Sequence, residues 1–520
     1  MGAENGVIDL DHGHPSGNVA AIVLGHDPDK TALISRNRLV TYAELEDLVA
    51  RARGGLVSLG VVDGDRVAVV ATNGIPFVVT YLAAMGLGAA VVPLNPTSPS
   101  IELGRQFDVV EPKVVVLDRT AAAAWRGIDD RHTAAVGHVV TVEPEALPGA
   151  TAWDDLITAD PITDVLAVEP DHLAVLMFTS GTAGSSRAAM LTHGNLLANQ
   201  RQARSSIDTG LPDDVVYGVL PLYHIFGLNV MLGLALAAGA TVVLVQRFDP
   251  DTALESIRSR GVTSIPGVPS MWTAFAHFTE APADAFRTVR RATSGAAKLP
   301  PEIAVAMRDH YGLQVNEGYG LTEAAPIVTS SSTTHDPPAG SVGRVLDGIE
   351  LRVVDEEGND VLVGDAGEIW VRGDNVFAGY LDDPEATARV LTPDGWLRTG
   401  DIAIVDAHGW LYLVDRAKDL VIVSGFNVYP AEVEEVLASH PDVVEAGVIG
   451  VPHPHTGEAV KAFVVLRPDA TIDEDGLIDF AHDHLARYKC PSKVIVVDEL
   501  PRNAAGKLVR RQLDDPLLPT

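Results

Sequence analysis

The spacing of apolar residues changes along the chain and marks regions with different predicted structure. In the first region, strand-like apolar runs alternate with stretches of helical spacing, as in the strand, helix, strand order of 65–70, 76–85 and 89–94. Thr41 and Glu44 have the spacing of a capping box, which predicts a helix that begins there. Because the alternation recurs over 240–265, we expect an α/β fold in which helices cover largely parallel sheets.

From about residue 340 the apolar runs become short, alternate with polar residues and are broken by turns, which predicts a small β-rich region. Beyond residue 419 the pattern is typical of a separate small α+β domain. The elements predicted there are a helix over 430–440, strands over 443–451 and 462–466, a helix over 474–487 and a strand over 494–497. We therefore expect an N-terminal domain over 1–415, a hinge at 416–418 and a mobile C-terminal domain over 419–520.

Composition narrows the class of protein. A chain of 520 residues with 47% apolar and 21% charged residues can bury a large core and divide into at least two domains. Its net charge of −32 argues against binding to nucleic acid or anionic membranes, because the mean field repels polyanions. The single cysteine and the absence of a signal-like start favour a cytoplasmic enzyme, and Pro221 and His224 interrupt the most apolar segment, so we expect no transmembrane helix.

The first chemical signal is a loop rich in hydroxyls and glycine that directly follows the apolar run 173–177. It reads Phe-Thr-Ser-Gly-Thr-Ala-Gly-Ser-Ser-Arg over 178–187. A strand that leads into such a loop places backbone N–H groups and hydroxyls around one concave spot, which suits phosphate oxygens. This loop is not a Walker A motif, which requires a Gly-Lys pair. The Gly-Lys pair of the sequence is at 506–507, and its flanking residues do not fit that motif.

Four more motifs follow in order: Tyr-Gly-Leu-Thr-Glu at 319–323, Thr-Gly-Asp at 399–401, Asp-Arg-Ala-Lys-Asp at 415–419, and Pro-Arg-Asn-Ala-Ala-Gly-Lys at 501–507. With the loop, they make the chain resemble the adenylate-forming enzymes over nearly its whole length. These include acyl-CoA synthetases, 4-coumarate-CoA ligases, firefly luciferase and peptide-synthetase adenylation domains. The resemblance implies that ATP and a carboxylic acid form an acyl-adenylate with release of pyrophosphate, and that a thiol then takes the acyl group.

The resemblance also implies roles for individual residues toward ATP. Thr322 would contact the α-phosphate, Glu323 would bind Mg²⁺, Asp401 would hold the ribose with help from Arg416, and Lys507 would be the catalytic lysine. The phosphate-binding residues would be Thr179, Ser180, Gly181, Thr182, Gly184 and Arg187, and those near adenine would be Gly295, Ala296, Gly318 and Tyr319.

For the second step, the resemblance implies that the C-terminal domain turns about Lys418, which withdraws Lys507 and brings in Ser424 and Gly425 beside the pantetheine of CoA. Arg247 matches a position that contacts the CoA nucleotide in some relatives, although an arginine at a strand end is usually just solvated. The aromatic segment 221–227 offers His224 and Phe226 as contacts for the acid, with buried aromatic packing as the alternative.

The phosphate loop departs from the family pattern Thr-Ser-Gly-Thr-Thr-Gly-x-Pro-Lys-Gly. Ala183, Ser186, Arg187 and Ala188 replace a threonine, the proline, the lysine and the last glycine. A planar guanidinium does not substitute simply for an ammonium, so the departure bears on ATP affinity. Glu317 adds a carboxylate near the nucleotide, which is unfavourable unless it is paired or neutral.

The leading hypothesis is therefore a carboxylic, and in particular a fatty, acid:CoA ligase that uses ATP, Mg²⁺ and CoA. One alternative is an acyl-AMP ligase that loads a separate carrier protein; a carrier domain in the same chain is not expected, because few residues follow Lys507. The others are a non-catalytic adenylate or acyl-CoA sensor, suggested by Arg187 and Ala188, and a weaker serine amidase built on Ser185 and Ser186. The sequence leaves the acid, its chain length and the oligomeric state open.

Overall fold

A computed structural model describes residues 16–180, 186–207, 211–278, 281–334, 336–355, 357–416, 421–428, 430–468, 470–501 and 513. The helices, in chain order, are α1 (Tyr42–Ser58), α2 (Ile75–Gly86), α3 (Ser100–Val110), α4 (Arg119–Arg126), α5 (Asp130–Thr133), α6 (Trp153–Leu156), α7 (His193–Ser206), α8 (Leu234–Ala237), α9 (Pro250–Arg260), α10 (Pro269–His277), α11 (Pro301–Tyr311), α12 (Pro384–Val390), α13 (Pro430–Ala438) and α14 (Glu474–His484). A π-helix, Phe226–Gly233, runs directly into α8, and short 3₁₀ turns lie at Val19–Val23, Thr322–Ala324, Ser331–Thr333 and Arg487–Lys489.

The strands are β1 (Thr31–Ser35), β2 (Arg38–Thr41), β3 (Arg66–Val70), β4 (Ala90–Leu94), β5 (Val114–Leu117), β6 (His138–Thr141), β7 (Thr151–Ala152), β8 (Leu173–Ser180), β9 (Ser186–Thr192), β10 (Val215–Gly218), β11 (Thr241–Leu244), β12 (Ser264–Gly267), β13 (Arg291–Ser294), β14 (Val315–Gly320), β15 (Ile327–Ser330), β16 (Arg344–Val345), β17 (Ile349–Val354), β18 (Ala366–Gly373), β19 (Leu397–Val405), β20 (Leu411–Arg416), β21 (Val421–Val423), β22 (Phe426–Val428), β23 (Val443–His453), β24 (Gly457–Leu466) and β25 (Lys493–Val496).

Two large sheets make up most of the N-terminal part. The first has the strand order β7-β6-β5-β3-β4-β8-β9, parallel except for the β8–β9 pair, whose connection is the predicted phosphate loop. The second has the order β16-β15-β14-β13-β12-β10-β11-β1-β2, with parallel strands from β14 to β1. Helices cover the strands, whose continuous apolar runs are buried, and the predicted α/β class is confirmed.

Two smaller sheets follow. Strands β17 to β20 form an antiparallel sheet in the region predicted to be β-rich, and β21 to β25 form another with α13 and α14 packed on an apolar core of its own. The boundary at 416–418 stays a prediction, because Lys418 lies outside the described residues. Among the helices that the structure describes, none is both long and apolar enough to span a membrane.

Local sequence explains where several elements begin. The Thr41 hydroxyl accepts from the backbone N–H of Glu44, and the Glu44 carboxylate accepts from the N–H of Thr41, so the predicted capping box starts α1. The helix predicted over 474–487 ends sooner, at His484. Beyond it, the backbone N–H of Ala486 donates to the carboxylate of Glu102 on α3, 3.1 Å away, so a contact with a distant residue replaces the next turn of helix.

Candidate active site

A cavity of about 1770 Å³ lies where the carboxyl ends of β12, β13 and β14 face the small antiparallel sheet and the C-terminal elements. Carboxyl ends of parallel strands are the usual place for a ligand site in α/β folds. Its lining includes many of the residues predicted from the sequence: Thr179, His224, Phe226, Gly295, Ala296, Gly318, Tyr319, Thr322, Glu323, Asp401 and Gly425. The fold therefore brings together residues that are far apart in the chain.

Glu323 lies in the 3₁₀ turn that follows β14, and its carboxylate faces the cavity. It accepts a hydrogen bond from the Tyr380 hydroxyl at 2.8 Å, and the Thr179 hydroxyl also bonds to it. Burial, together with the nearby negative charge of Asp401, raises the pKa of the Glu323 carboxyl above its ordinary value. A cation bound here would relieve that penalty, so the oxygen donors of this site fit Mg²⁺.

Tyr319 and Asp401 form a second polar contact on the same wall. The Tyr319 hydroxyl donates to Asp401 Oδ2 at 2.7 Å, and burial followed by the Asp401 charge raises the pKa of Tyr319 well above its usual range. The phenol thus stays protonated as a donor. This bond fixes the carboxylate of Asp401, the residue predicted to hold the ribose, on β19.

The predicted phosphate loop is described at its two ends. Thr179 and Ser180 end β8, whereas Gly181, Thr182 and Gly184 lie outside the described residues. Arg187, on β9, pairs through Nε with Asp383 Oδ2 at 2.8 Å, and its guanidinium carbon lies 5.8 Å from the Tyr380 ring centroid. Since Tyr380 in turn contacts Glu323, Arg187 reaches the site through one intervening side chain.

The segment predicted to face adenine turns sharply at the end of β13. Ala296 has a positive φ of 67°, and a side-chain carbon on Gly295 would lie 3.0 Å from the Phe226 ring. Glu317, the added carboxylate, accepts from the backbone N–H of Leu299 at 3.0 Å, while burial raises its pKa. A carboxylate near a nucleotide has to be paired or neutral, and this environment supplies both a hydrogen-bond donor and a bias toward the neutral form.

A loop of the C-terminal part contacts the opposite wall of the cavity. Ser424 and Gly425 both have positive φ, of 52° and 85°, and a side-chain carbon on Gly425 would lie 3.0 Å from Val268. The next residue, Phe426, meets the His224 ring edge-on at 6.2 Å and stacks on Tyr488 at 4.5 Å. Burial lowers the pKa of His224 to about 4, so His224 is neutral near pH 7.

A buried ionic cluster, which the sequence analysis did not predict, joins the N-terminal and C-terminal parts beside this loop. Lys489 Nζ lies 2.9 Å from Glu102 Oε1 on α3 and 2.8 Å from Glu432 Oε1 on α13. The three side chains are 5%, 10% and 9% exposed. Tyr380 and Asp383 were also missed, and no short motif marks any of these residues, because their partners are remote in sequence.

Four further predicted site residues are not placed at the cavity by the described part of the structure. Arg247 is exposed on the loop after β11 and does not line the cavity. Lys418 and Lys507 lie outside the described residues, and only the backbone of Arg416 is described, at the end of β20, paired with Asp401 on β19. The roles proposed for these four residues therefore stay predictions.

Comparison with known proteins identifies the family of the chain. The family profile "AMP-binding enzyme" matches residues 23–381, and "AMP-binding enzyme C-terminal domain" matches residues 432–507. The chain belongs to this family, within the adenylate-forming superfamily.

Curated relatives and solved structures match over nearly the full length. A 3-[(3aS,4S,7aS)-7a-methyl-1,5-dioxo-octahydro-1H-inden-4-yl]propanoyl:CoA ligase of Mycobacterium tuberculosis is 39% identical, with 94% of this chain and 96% of the relative covered. A long-chain-fatty-acid–CoA ligase of Yersinia pestis is 35% identical, with 94% and 92% covered. A double mutant of o-succinylbenzoate CoA synthetase from Bacillus subtilis superposes with a TM-score of 0.84 at 31% identity, covering 96% of this chain and 98% of that one.

Proposed function

We propose that this protein is an ATP-dependent carboxylic acid:CoA ligase that works through an acyl-adenylate. The observation that carries the proposal is the convergence of Glu323, the Tyr319–Asp401 pair and the Gly425 loop on one cavity. The first two suit a nucleotide and its metal, and the third suits a thiol-bearing arm that passes close to backbone. Relatives named as CoA ligases support the same activity.

In the first half-reaction, a carboxylate oxygen of the acid forms a bond to the α-phosphorus of ATP, and the bond to pyrophosphate breaks. Asp401, held by Tyr319, would accept from the ribose hydroxyls, and Thr322 would donate to the α-phosphate. Glu323 would hold Mg²⁺, which supplies charge neutralisation to the phosphates. Lys507 keeps its proposed role of stabilising the negative charge that builds up around the α-phosphate.

In the second half-reaction, the sulfur of CoA bonds to the acyl carbon and AMP leaves with the electron pair of the broken C–O bond. The positive φ of Gly425 and its approach to Val268 disfavour a side chain there, so backbone borders the cavity at this point. His224, neutral and facing the cavity, can contact the acyl group without adding charge. In the orientation that the structure shows, the Gly425 loop lines the cavity, as this step requires.

We keep the fatty acid that the sequence suggests as the proposed substrate. Apolar residues along the cavity support an acid with a long apolar body. They include Val216, Val230, Met231, Leu234 and Ala235. The relatives act, by their names, on acids of different shapes, so they do not single out one acid. One cysteine, Cys490, allows no disulfide within the chain, which is in keeping with the proposed cytoplasmic location.

The test is pyrophosphate release from ATP and Mg²⁺ across a panel of acids, with and without CoA, followed by detection of the acyl-CoA. The proposal expects acid-dependent pyrophosphate and a stoichiometric thioester when CoA is present. Acid-dependent pyrophosphate with no CoA consumed would favour the carrier-loading alternative. No pyrophosphate with any acid, while ATP still binds, would favour a sensor.

A further inference from the structure

A segment between β18 and α12 joins two parts of the predicted nucleotide site. Residues 377–381, which we call the bridging segment, lie antiparallel beside β9, the strand that follows the predicted phosphate loop. At one end of the segment, the backbone N–H of Leu381 donates to the carbonyl of Ala188 at 2.9 Å. At the other end, the backbone N–H of Phe377 donates to the carbonyl of Glu323 at 2.9 Å. The bridging segment therefore connects the strand of the phosphate loop to the predicted metal ligand.

Tyr380, in the bridging segment, lines the cavity and contacts the side chain of the same glutamate. Its hydroxyl donates to Glu323 Oε1 at 2.8 Å. The backbone N–H of Tyr380 donates to the Thr387 hydroxyl at 2.9 Å, and its ring meets the ring of Phe377 edge-on at 5.0 Å. Because the backbone and the ring of Tyr380 are both held, its hydroxyl fixes the direction in which the Glu323 carboxylate points.

A neutral donor suits a carboxylate that has to bind a metal. The Tyr380 hydroxyl orients one oxygen of Glu323 and leaves the negative charge in place. A guanidinium in the same position would neutralise the charge that attracts Mg²⁺. Partners of this kind orient metal ligands, and replacing them typically changes metal affinity by about 10 to 100-fold.

Arg187, at the position of the lysine in the family's phosphate loop, supports the tyrosine from β9. Its guanidinium carbon lies 5.8 Å from the Tyr380 ring centroid, a distance at which a cation is attracted to a ring face. Its Nε donates to Asp383 Oδ2 at 2.8 Å, and the Arg187 side chain is 12% exposed. Asp383 also accepts from the backbone N–H of Ala386 at 2.8 Å and so caps α12. The ion pair thus anchors the guanidinium beside the Tyr380 ring.

We propose that Tyr380 is a positioning residue for the metal of the adenylation step, and that Arg187 acts on this site through Asp383 and the Tyr380 ring. The inference rests on the proposed ligase function, in which Glu323 holds the Mg²⁺ that accompanies ATP. Loss of the Tyr380 hydroxyl should therefore weaken the contribution of the metal to ATP binding. The contacts of the protein to the nucleoside should not change.

Calorimetric titration of the full-length protein separates the two contributions. The ligands are AMP without metal, and α,β-methylene-ATP, which cannot release pyrophosphate, with excess Mg²⁺ or with a chelator. We expect Tyr380→Phe to raise the Kd of the analogue with Mg²⁺ by at least about tenfold, the lower end for a residue that orients a metal ligand. The Kd of the analogue without Mg²⁺ and the Kd of AMP should stay at their wild-type values, which also shows that the variant is folded.

Matched variants test each part of the arrangement. Tyr412→Phe is the control, because it removes a hydroxyl that bonds to the carboxylate of Asp406, and both residues lie outside the cavity lining. It should change none of the three Kd values. Arg187→Met and Asp383→Asn break the supporting ion pair, and asparagine still caps α12. Each should raise the Kd with Mg²⁺ by less than Tyr380→Phe does, and the double variant should lose no more than the larger single loss, since both changes break one pair.

An unchanged Kd with Mg²⁺ in Tyr380→Phe, or an equal rise in all three Kd values, would overturn the positioning role while the ligase assignment stands. Additive losses in Arg187→Met and Asp383→Asn would overturn the indirect role of Arg187 and favour its direct contact with phosphate. Failure of the wild type to bind either AMP or the analogue would overturn the ligase assignment and this inference with it.

Discussion

The buried cluster of Glu102, Lys489 and Glu432 gives the sharpest prediction about how the C-terminal part is held. One ammonium lies within 3 Å of two carboxylates that belong to different parts of the chain, and all three groups are almost fully buried. Burial alone would lower the pKa of Lys489, but the two carboxylates and the neighbouring Tyr488 raise it well above its ordinary value. The ammonium is therefore charged throughout the pH range in which enzymes are assayed.

Replacing Lys489 with methionine keeps the volume and leaves two carboxylates facing each other without a cation. Removing one partner of a buried ion pair costs about 3 to 5 kcal/mol. Proton uptake by Glu432, whose pKa burial already raises, limits the loss, so we expect the free energy of unfolding to fall by about 3 kcal/mol. Urea unfolding of the full-length protein measures this value.

The functional consequence follows from the neighbour of Lys489. Tyr488 stacks on Phe426, the residue after Gly425, so loosening Lys489 loosens the loop at the thiol side of the cavity. We expect Lys489→Met to slow thioester formation from a supplied acyl-adenylate by at least about tenfold, while acid-dependent pyrophosphate release changes less. Lys493→Met, which removes the same charge from an exposed position on β25, is the control and should change neither value.

A change in the unfolding free energy below about 1 kcal/mol, the range typical of exposed ion pairs, would contradict the stability argument. Equal slowing of both half-reactions would refute the idea that the cluster positions the loop.

Three further predictions address single residues. Lys507→Ala should cut adenylation by about 10² to 10³ and spare thioester formation from supplied acyl-adenylate, and stopped-flow or quenched assays of the two steps would reject the role if both fell equally. Gly425→Ala should slow thioester formation by about tenfold. A left-handed conformation costs a non-glycine residue roughly 1 to 2 kcal/mol, and Val268 must also shift. A normal rate of thioester formation would refute the proposed approach of the CoA arm to the Gly425 backbone. Burial lowers the pKa of His193 to about 3 from 6.5, so its contribution to stability is complete above pH 6.5 and is lost as the pH falls toward 3. Because of this residue, the free energy of unfolding should be about 2 kcal/mol lower at pH 5 than at pH 8. In His193→Asn, the amide oxygen can still accept from the backbone N–H of Val19, and the difference between the two pH values should disappear.

The sequence predicts the parts of the site that belong to short motifs. Tyr319 and Glu323 lie near and just beyond the end of β14, where the fold of an α/β protein places functional groups, and Asp401 belongs to a Thr-Gly-Asp motif within β19. The helices and strands were predictable for the same reason: capping residues and apolar spacing act over a few positions, as at Thr41. Patterns over a few neighbouring residues thus predict both the helices and strands and the motif residues that they carry at the site.

Contacts between remote residues could not be predicted in this way. Lys489 meets Glu102 across 387 positions, and Arg291 meets Asp214 across 77. Each pairing depends on how whole sheets and helices pack, which no local pattern encodes. The early end of α14 has the same origin, because the N–H of Ala486 bonds to Glu102 instead of continuing the helix.

The most direct test of the proposed activity follows both products in one reaction of the purified protein with ATP, Mg²⁺, CoA and an acid that the panel identifies. We predict that pyrophosphate and AMP form in equal amounts with the acyl-CoA, and that omission of the acid abolishes all three. AMP and pyrophosphate without acyl-CoA, or ATP turnover that is independent of the acid, would contradict the assignment of this cavity to a carboxylic acid:CoA ligase.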